Sequence, residues 1–139
     1  MNEIKRIGRR LADADGLPAV LAVGWDIFEL VGTIASATAG ASPDMYPAFT
    51  FAQGAAVSGR TAIAFAPSLP PVSGGAGYEL PKPLGDAGEI ADDLAGLASA
   101  LSVRLRESAE LAANAADRSA CENAASEAER ITWLLAQGN

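Results

Sequence analysis

Two acidic side chains, Asp26 and Glu29, lie three residues apart in an otherwise apolar stretch of the sequence. Residues at this spacing share one face of a helix, so the two carboxyl groups are expected to lie side by side. The flanking Trp25 and Phe28 would limit their solvation, which prepares a carboxyl group for general acid or base catalysis. We favour a simpler interpretation, in which both acids face solvent or Arg60 neutralises one of them.

The aromatic residues are concentrated in the first two thirds of the chain, where seven of the eight lie between Trp25 and Tyr78. Core packing accounts for most of this clustering, because aromatic side chains dominate core energetics. The functional interpretation is a small-molecule cleft between helices. Its candidate ligand-binding residues are Trp25, Tyr46, Arg60 and Tyr78, with Arg60 as the partner of an anion and a tyrosine as a hydroxyl donor.

The chain contains no histidine and one cysteine, Cys121. Within this chain, Ser-His-Asp and Cys-His catalysis and His-ligated metal sites are therefore excluded, as is an intrachain disulfide. Two carboxylates without histidine would suit Mg²⁺ or Ca²⁺ better than zinc or iron. We predict neither a metal site nor a cofactor, and the missing groups favour a protein that is not an enzyme. Cys121 itself is expected to be a small buried hydrophobe.

Seventeen acidic residues against ten basic ones give a net charge of −7 and a pI near 4.4. A nucleic-acid-binding protein would carry a basic surface, so the composition argues against that class. Four of the bases lie within the first ten residues, against the single acid Glu3. We expect this basic segment to be a solvated helix face.

The apolar segment 17–41 requires a check for membrane insertion. A spanning helix there would bury Asp26 and Glu29 near the centre of the bilayer, at a cost of several kcal/mol. As a signal peptide the segment is poor, because Asp13 and Asp15 separate the basic residues from the apolar ones. The sequence therefore predicts no membrane span and a cytoplasmic protein.

The first half of the chain has the periodicity of helices. Apolar positions predict a first helix over about 2–14 and a second over about 17–38, with Pro18 in its first turn. A third helical segment, capped by Ser42, extends to about residue 65 with weak points at Gly54 and Gly59. Residues 61–66 have a strand as their alternative, because Ile63 and Phe65 alternate with small residues.

Residues 54–61 nearly match the phosphate-loop pattern, with Arg60 in place of its lysine. Such a loop needs a strand before it and a helix after it, and too little chain follows before Pro67. We favour a helix that ends at Gly59.

The second half begins with a Pro/Gly-rich loop at about 67–85. Residues 86–137 contain no proline and form either a helical hairpin turning near 114–117 or one long helix. Ser119 and Glu122 have the spacing of a capping box and are predicted to start the second helix of the hairpin. Because 112–128 contains only small and polar residues, this Ala-rich seam would suit a tight contact between helices, including one across a dimer.

Together these patterns predict an all-α single domain over 1–139, a bundle of four or five helices with one long loop. Helices over 1–66 precede the loop at 67–85, and the hairpin or long helix over 86–139 follows it. We expect a non-enzymatic interaction or regulatory module whose partner is a protein or a second copy, associating through the Ala-rich C-terminal helices. The alternative is a small-molecule-binding protein or enzyme whose pocket uses Asp26, Glu29 and Arg60.

Overall fold

The computed structural model describes residues 2–71, 80 and 84–137. The described part of the chain is helical, and its only other regular element is a 3₁₀ turn at Pro43–Met45. The predicted all-α bundle of four or five helices is confirmed, with five helices in these residues. They are α1 (Asn2–Asp13), α2 (Leu17–Ala41), α3 (Tyr46–Ala64), α4 (Ala87–Leu111) and α5 (Ala115–Gln137).

The four long helices pack in a closed ring. Helix α3 lies between α2 and α5, and α4 lies between α5 and α2, while α1 packs against both α2 and α4. Aliphatic and aromatic side chains from all five helices meet in one core. The largest fully buried side chains include Phe28, Phe49, Leu94, Leu101 and Ile131.

The junction of α1 and α2 depends on Gly16 and on a distant arginine. Gly16 has φ +87°, a left-handed conformation that glycine adopts at little cost. The guanidinium of Arg104 on α4 donates to the carbonyls of Leu11, Ala12 and Ala14 at the end of α1. The Leu11 carbonyl also accepts from the amide of Ala14 at 3.3 Å. The last carbonyls of a helix lack donors from a following turn, so Arg104 caps the end of α1 from outside.

Helix α3 passes through Gly59 without interruption, so the predicted end of a helix at that residue is wrong. Gly59 is buried, and a Cβ built on it would lie 2.4 Å from two ring carbons of Phe28. The glycine is therefore there for the close approach of α2 and α3. The strand alternative at 61–66 is also wrong, and residues 54–61 are helical with no strand before them.

Helices α4 and α5 form a hairpin. The N-cap of α5 is Asn114, five residues before the predicted one at Ser119: the Asp117 amide donates to Asn114 Oδ1 at 2.7 Å, and Asn114 Nδ2 donates to Asp117 Oδ2 at 2.8 Å. Asp117, which is 1% exposed, also accepts hydrogen bonds from the hydroxyl and the amide of Ser68. Within the predicted 67–85 loop, the described residues are irregular and the others lie outside the described part of the chain.

The Ala-rich seam is covered within the chain itself. Helix α5 buries Ala120, Ala124, Ala125 and Ala128 in the core, where it packs mainly against α4 and α3. Small side chains allow helices to approach closely, which explains the extensive contact between α4 and α5. The buried side of the seam therefore packs inside one copy, and self-association through this segment would have to use its exposed side.

Helix α2 is long and apolar enough to cross a membrane by length and composition alone, with a mean hydropathy of 1.6. Half of the most apolar 18-residue stretch of α2 is buried inside the bundle, where α2 contacts α1, α3 and α4. The central helix of a folded bundle has this same character.

Candidate functional site

A groove of about 500 Å³ runs between α2 and α3 on the outside of the ring. Its floor is formed by small residues, among which Gly32 faces Ala56 across the helix pair. Polar and charged side chains stand along its walls. The lining comprises Phe28, Glu29, Gly32, Thr33, Ser36 and Ala37 of α2, Gln53, Ala56, Val57 and Arg60 of α3, and Leu80.

An ion pair joins the two walls of the groove. The guanidinium of Arg60 lies 3.4 Å from Glu29 Oε1, with side chains 35% and 19% exposed respectively. The same guanidinium lies over the ring of Trp25, 5.5 Å from its centroid, in cation–π geometry. The indole nitrogen of Trp25 is buried without a hydrogen-bond partner among the described residues. Arg60 thus neutralises one of the two acids, as the simpler interpretation of the sequence held.

Asp26 points to a different neighbour. Its carboxylate lies 2.9 Å from Arg10 of α1, and Asp26 is not among the residues that line the groove. The two acids therefore do not assemble into one site, contrary to their expected side-by-side placement. The reason is tertiary: α1 lies on one side of their shared helix and α3 on the other, and each supplies an arginine.

One of the two tyrosines proposed as hydroxyl donors, Tyr46, lies away from the groove. Tyr46 begins α3 with 54% of its surface exposed and does not line the groove. Tyr78 lies outside the described residues. Of the four predicted ligand-binding residues, Arg60 lines the groove and Trp25 supports it from beneath.

Cys121 is fully buried in the core, as expected for a small hydrophobe. Burial raises the pKa of its thiol to about 11, and the nearby carboxylates of Asp117 and Glu122 contribute in the same direction. The thiol is therefore protonated at neutral pH and unsuited to nucleophilic attack. No group of three or more Cys, Asp or Glu side chains that could hold a metal ion is found in the described residues.

A second surface was missed by the sequence analysis. The side of α3 turned away from the bundle exposes three large hydrophobic residues, Phe51 at 64%, Phe65 at 76% and Tyr46 at 54%, together with Val57 at 48%. Arg60 is the one charged residue between Tyr46 and Phe65, and it is turned into the groove. We call this surface the α3 face, defined by Tyr46, Thr50, Phe51, Gly54, Val57, Ser58, Thr61, Ala64 and Phe65.

The signal for this face was present but could not be interpreted from the sequence. The positions 51, 54, 58, 61 and 65 recur at helical spacing, as a buried stripe would. The chain also has Phe49, Ala52, Ala56 and Ile63 on the opposite side of α3, and these are the residues that α2 and α5 cover. Because α3 carries two stripes at helical spacing, the sequence does not show which of them is buried; the packing of α2 and α5 decides it.

No family model, curated protein sequence or solved structure shows a significant match to this chain. The function is therefore inferred from the two surfaces themselves.

Proposed function

We propose that this protein is a non-enzymatic interaction module that docks a protein partner through the α3 face. The observation that carries the proposal is the exposure of three aromatic rings on one uncharged helix face, in a chain whose net charge is −7. Exposed aromatic residues in contiguous patches are typical of interaction surfaces.

The exposed ring area indicates how strong such docking could be. With about 200 Å² for each aromatic side chain, the exposed fractions of Tyr46, Phe51 and Phe65 leave about 400 Å² of ring surface in water. Burying that area is worth about 10 kcal/mol before the costs of association are subtracted. Those costs run from about 4 to 15 kcal/mol, so reversible rather than permanent binding is expected.

The groups that could do chemistry are already engaged, which supports the non-enzymatic half of the proposal. Glu29 is paired with Arg60, and Asp26 with Arg10. The thiol of Cys121 is buried and protonated. The thiol is therefore unsuited to nucleophilic attack, and each of the two carboxylates faces an arginine that opposes its use as a base.

A photo-crosslinking amino acid placed at position 51 tests the proposal in living cells that make the protein. We expect light-dependent adducts from position 51 and none from position 133 of α5, which serves as the matched control. Trp133 is also an exposed aromatic residue, 62% against 64% for Phe51, but lies outside the α3 face. Equal adducts from both positions, or none from position 51, would contradict a docking role for the α3 face.

The groove supports a second candidate function, the binding of a small molecule. Its volume of about 500 Å³ is within the range of ligand pockets, and Glu29, Arg60 and Gln53 offer charged and amide groups in its walls. Because Arg60 and Glu29 are only 3.4 Å apart, a ligand with a carboxylate or an amine would compete for one of them.

A thermal-shift screen with small carboxylates and amines tests this candidate. Stabilisation by a carboxylate should be lost in Arg60→Met, and stabilisation by an amine should be lost in Glu29→Gln. Both effects should persist in Arg10→Met, which removes a comparable ion pair outside the groove. A screen without any stabilising compound, or stabilisation by a carboxylate that survives in Arg60→Met, would count against a ligand in the groove.

A further inference from the structure

The outward side of α3 has small residues at its centre and an aromatic residue at each end. Along the outward side of α3, an aromatic residue is followed by three small residues and then by a second aromatic residue, at spacings of three and four. In Phe51, Gly54, Ser58, Thr61 and Phe65, the two aromatic residues each lie seven residues from Ser58, while Gly54 and Thr61 lie four and three residues from it. All five of these residues are exposed.

We propose that the occupant of the α3 face is a second copy of this chain, packed antiparallel about a two-fold axis close to Ser58. This inference rests on the proposed docking role of the face. In that arrangement Gly54 of each copy lies opposite Thr61 of the other, and Phe51 lies at the Ala64–Phe65 end of the partner helix. An isologous contact of this kind needs one surface that is complementary to itself.

The central small residues permit the close approach that this packing needs. A Cβ built on Gly54 meets nothing within 4 Å, so its outward side is open to a neighbouring helix. Ser58 and Thr61 are also exposed. Small residues at the crossing point bring two helix backbones together, and the rings at both ends then close over the partner helix.

The lack of charge on the α3 face favours a second copy over an acidic or a basic partner. Two copies that each carry −7 repel when acidic surfaces meet. The α3 face brings no acidic residue into the contact, because the segment from Tyr46 to Phe65 contains none. A basic partner would find no carboxylate here, and an acidic partner would find no exposed basic residue of this segment beyond Arg60, which is engaged by Glu29.

The area is what a weak homodimer buries. The rings of Phe51 and Phe65, Val57 and the small residues between them amount to about 500 Å² per copy, or about 1,000 Å² for the pair, which is the lower limit for a specific interface. We therefore expect a reversible dimer with a Kd in the micromolar range.

Cysteine cross-linking distinguishes this arrangement from its alternatives. Thr50→Cys and Ala64→Cys are made on the full chain, both at exposed positions near opposite ends of the face, and one variant carries a tag that changes its mass. In the antiparallel dimer, Thr50 of one copy lies beside Ala64 of the other. The two Thr50 residues are then about 21 Å apart along the helix axis, because Thr50 and Ala64 are 14 residues apart at about 1.5 Å per residue.

A disulfide needs Cα atoms within about 7 Å. Under a mild oxidant, mixing the two variants should therefore yield the mixed dimer, with at least tenfold less of either self-linked dimer. The unsubstituted chain is the control, because its only cysteine, Cys121, is buried. Circular dichroism of each variant confirms that it is folded.

Self-linking of Thr50→Cys as efficient as the mixed link would show parallel packing and overturn the antiparallel arrangement. No link in any mixture, at concentrations well above micromolar, would exclude the second copy as occupant. In that case an adduct of position 51 with a different protein would keep the α3 face as a docking surface. The absence of any adduct would remove both proposals.

Discussion

Replacing Gly59 by alanine tests whether α2 and α3 approach each other as closely as described. The added Cβ would lie 2.4 Å from two ring carbons of Phe28 and 2.8 Å from a third. Ordinary contacts are about 3.5–4 Å, so the ring must retreat by more than 1 Å. Phe28 is 1% exposed, and the ring can move only by straining the core or by turning into the groove.

The magnitude follows from two opposing effects. Overpacking a core costs about 1–3 kcal/mol. Alanine in a helix interior is favoured over glycine by about 1 kcal/mol. The net effect of Gly59→Ala is therefore a loss of up to about 2 kcal/mol in the free energy of unfolding, or a fall in Tm of several degrees for a chain of this length.

Gly96→Ala is the matched control, because Gly96 lies in the interior of α4, is exposed and has nothing within 4 Å of its Cβ position. It should gain about 1 kcal/mol, since only the helix propensity changes. The difference between the two variants in urea unfolding isolates the clash at about 1–3 kcal/mol. Trimming the ring with Phe28→Leu should make Gly59→Ala less costly than in the native background. If Gly59→Ala is as stable as Gly96→Ala, the α2–α3 contact is not the one described.

Two further substitutions test the caps that hold the helices in place. Asp117→Asn should lower the free energy of unfolding at pH 7 by about 1–3 kcal/mol, because a buried carboxylate loses its charge-assisted hydrogen bonds. The hydrogen bond from the Ser68 hydroxyl lowers the pKa of Asp117 below its ordinary value of 3.8; burial opposes this shift, and the Ser68 amide and Asn114 add to it. The stabilisation by the ionised carboxylate is therefore present above pH 3.8 and is lost as the pH falls below it. Urea unfolding should show the gap between variant and native protein closing at pH 3, and an equal gap at both pH values would be inconsistent with an ionised Asp117. Arg104→Met should cost about 1–2 kcal/mol and increase hydrogen exchange at the end of α1, because the last carbonyls lose their donor. Arg106→Met is the control and should cost less than about 1 kcal/mol, because the ion pair between Arg106 and Glu129 is exposed. A larger loss of stability in Arg106→Met than in Arg104→Met would refute the capping role of Arg104.

The helices could be predicted where a pattern was local. Ile4, Ile7 and Leu11 marked the buried side of α1, and all three are buried. Pro18 begins α2 as expected, although the helix continues to Ala41 instead of ending at about residue 38. Gly40 remains helical there, because glycine in one helical turn costs only about 1 kcal/mol.

The errors came from positions whose role depends on another helix. Gly59 was interpreted as a helix end, but a glycine is needed there because the ring of Phe28, 31 residues away in the chain, packs against its backbone. Ser119 has the spacing of a cap, whereas the cap at Asn114 and Asp117 is completed by Ser68 from the other half of the chain. Local spacing cannot distinguish such cases, because several residues satisfy it equally.

In the candidate site, too, some features could be predicted from the local sequence and others depend on a distant helix. The pairing of Arg60 with Glu29 was one of the interpretations open from the sequence, and it is present. The separation of Asp26 from Glu29 depends on Arg10 of α1, which the spacing of the acids does not reveal. The exposure of Phe51 and Phe65 depends on which side of α3 the bundle covers. The ligand of the groove and the partner of the α3 face both stay predictions.

Sedimentation velocity over a concentration series tests the central claim, that the α3 face is where the chain associates. The native protein of 14.1 kDa should pass from monomer to dimer in the micromolar range. Phe51→Glu should remain monomeric throughout, because the buried charge weakens association at least tenfold. Trp133→Glu, with the same change at an equally exposed aromatic residue, should dimerise like the native protein. A native protein that stays monomeric, or a dimer that is lost in Trp133→Glu and kept in Phe51→Glu, would contradict the account.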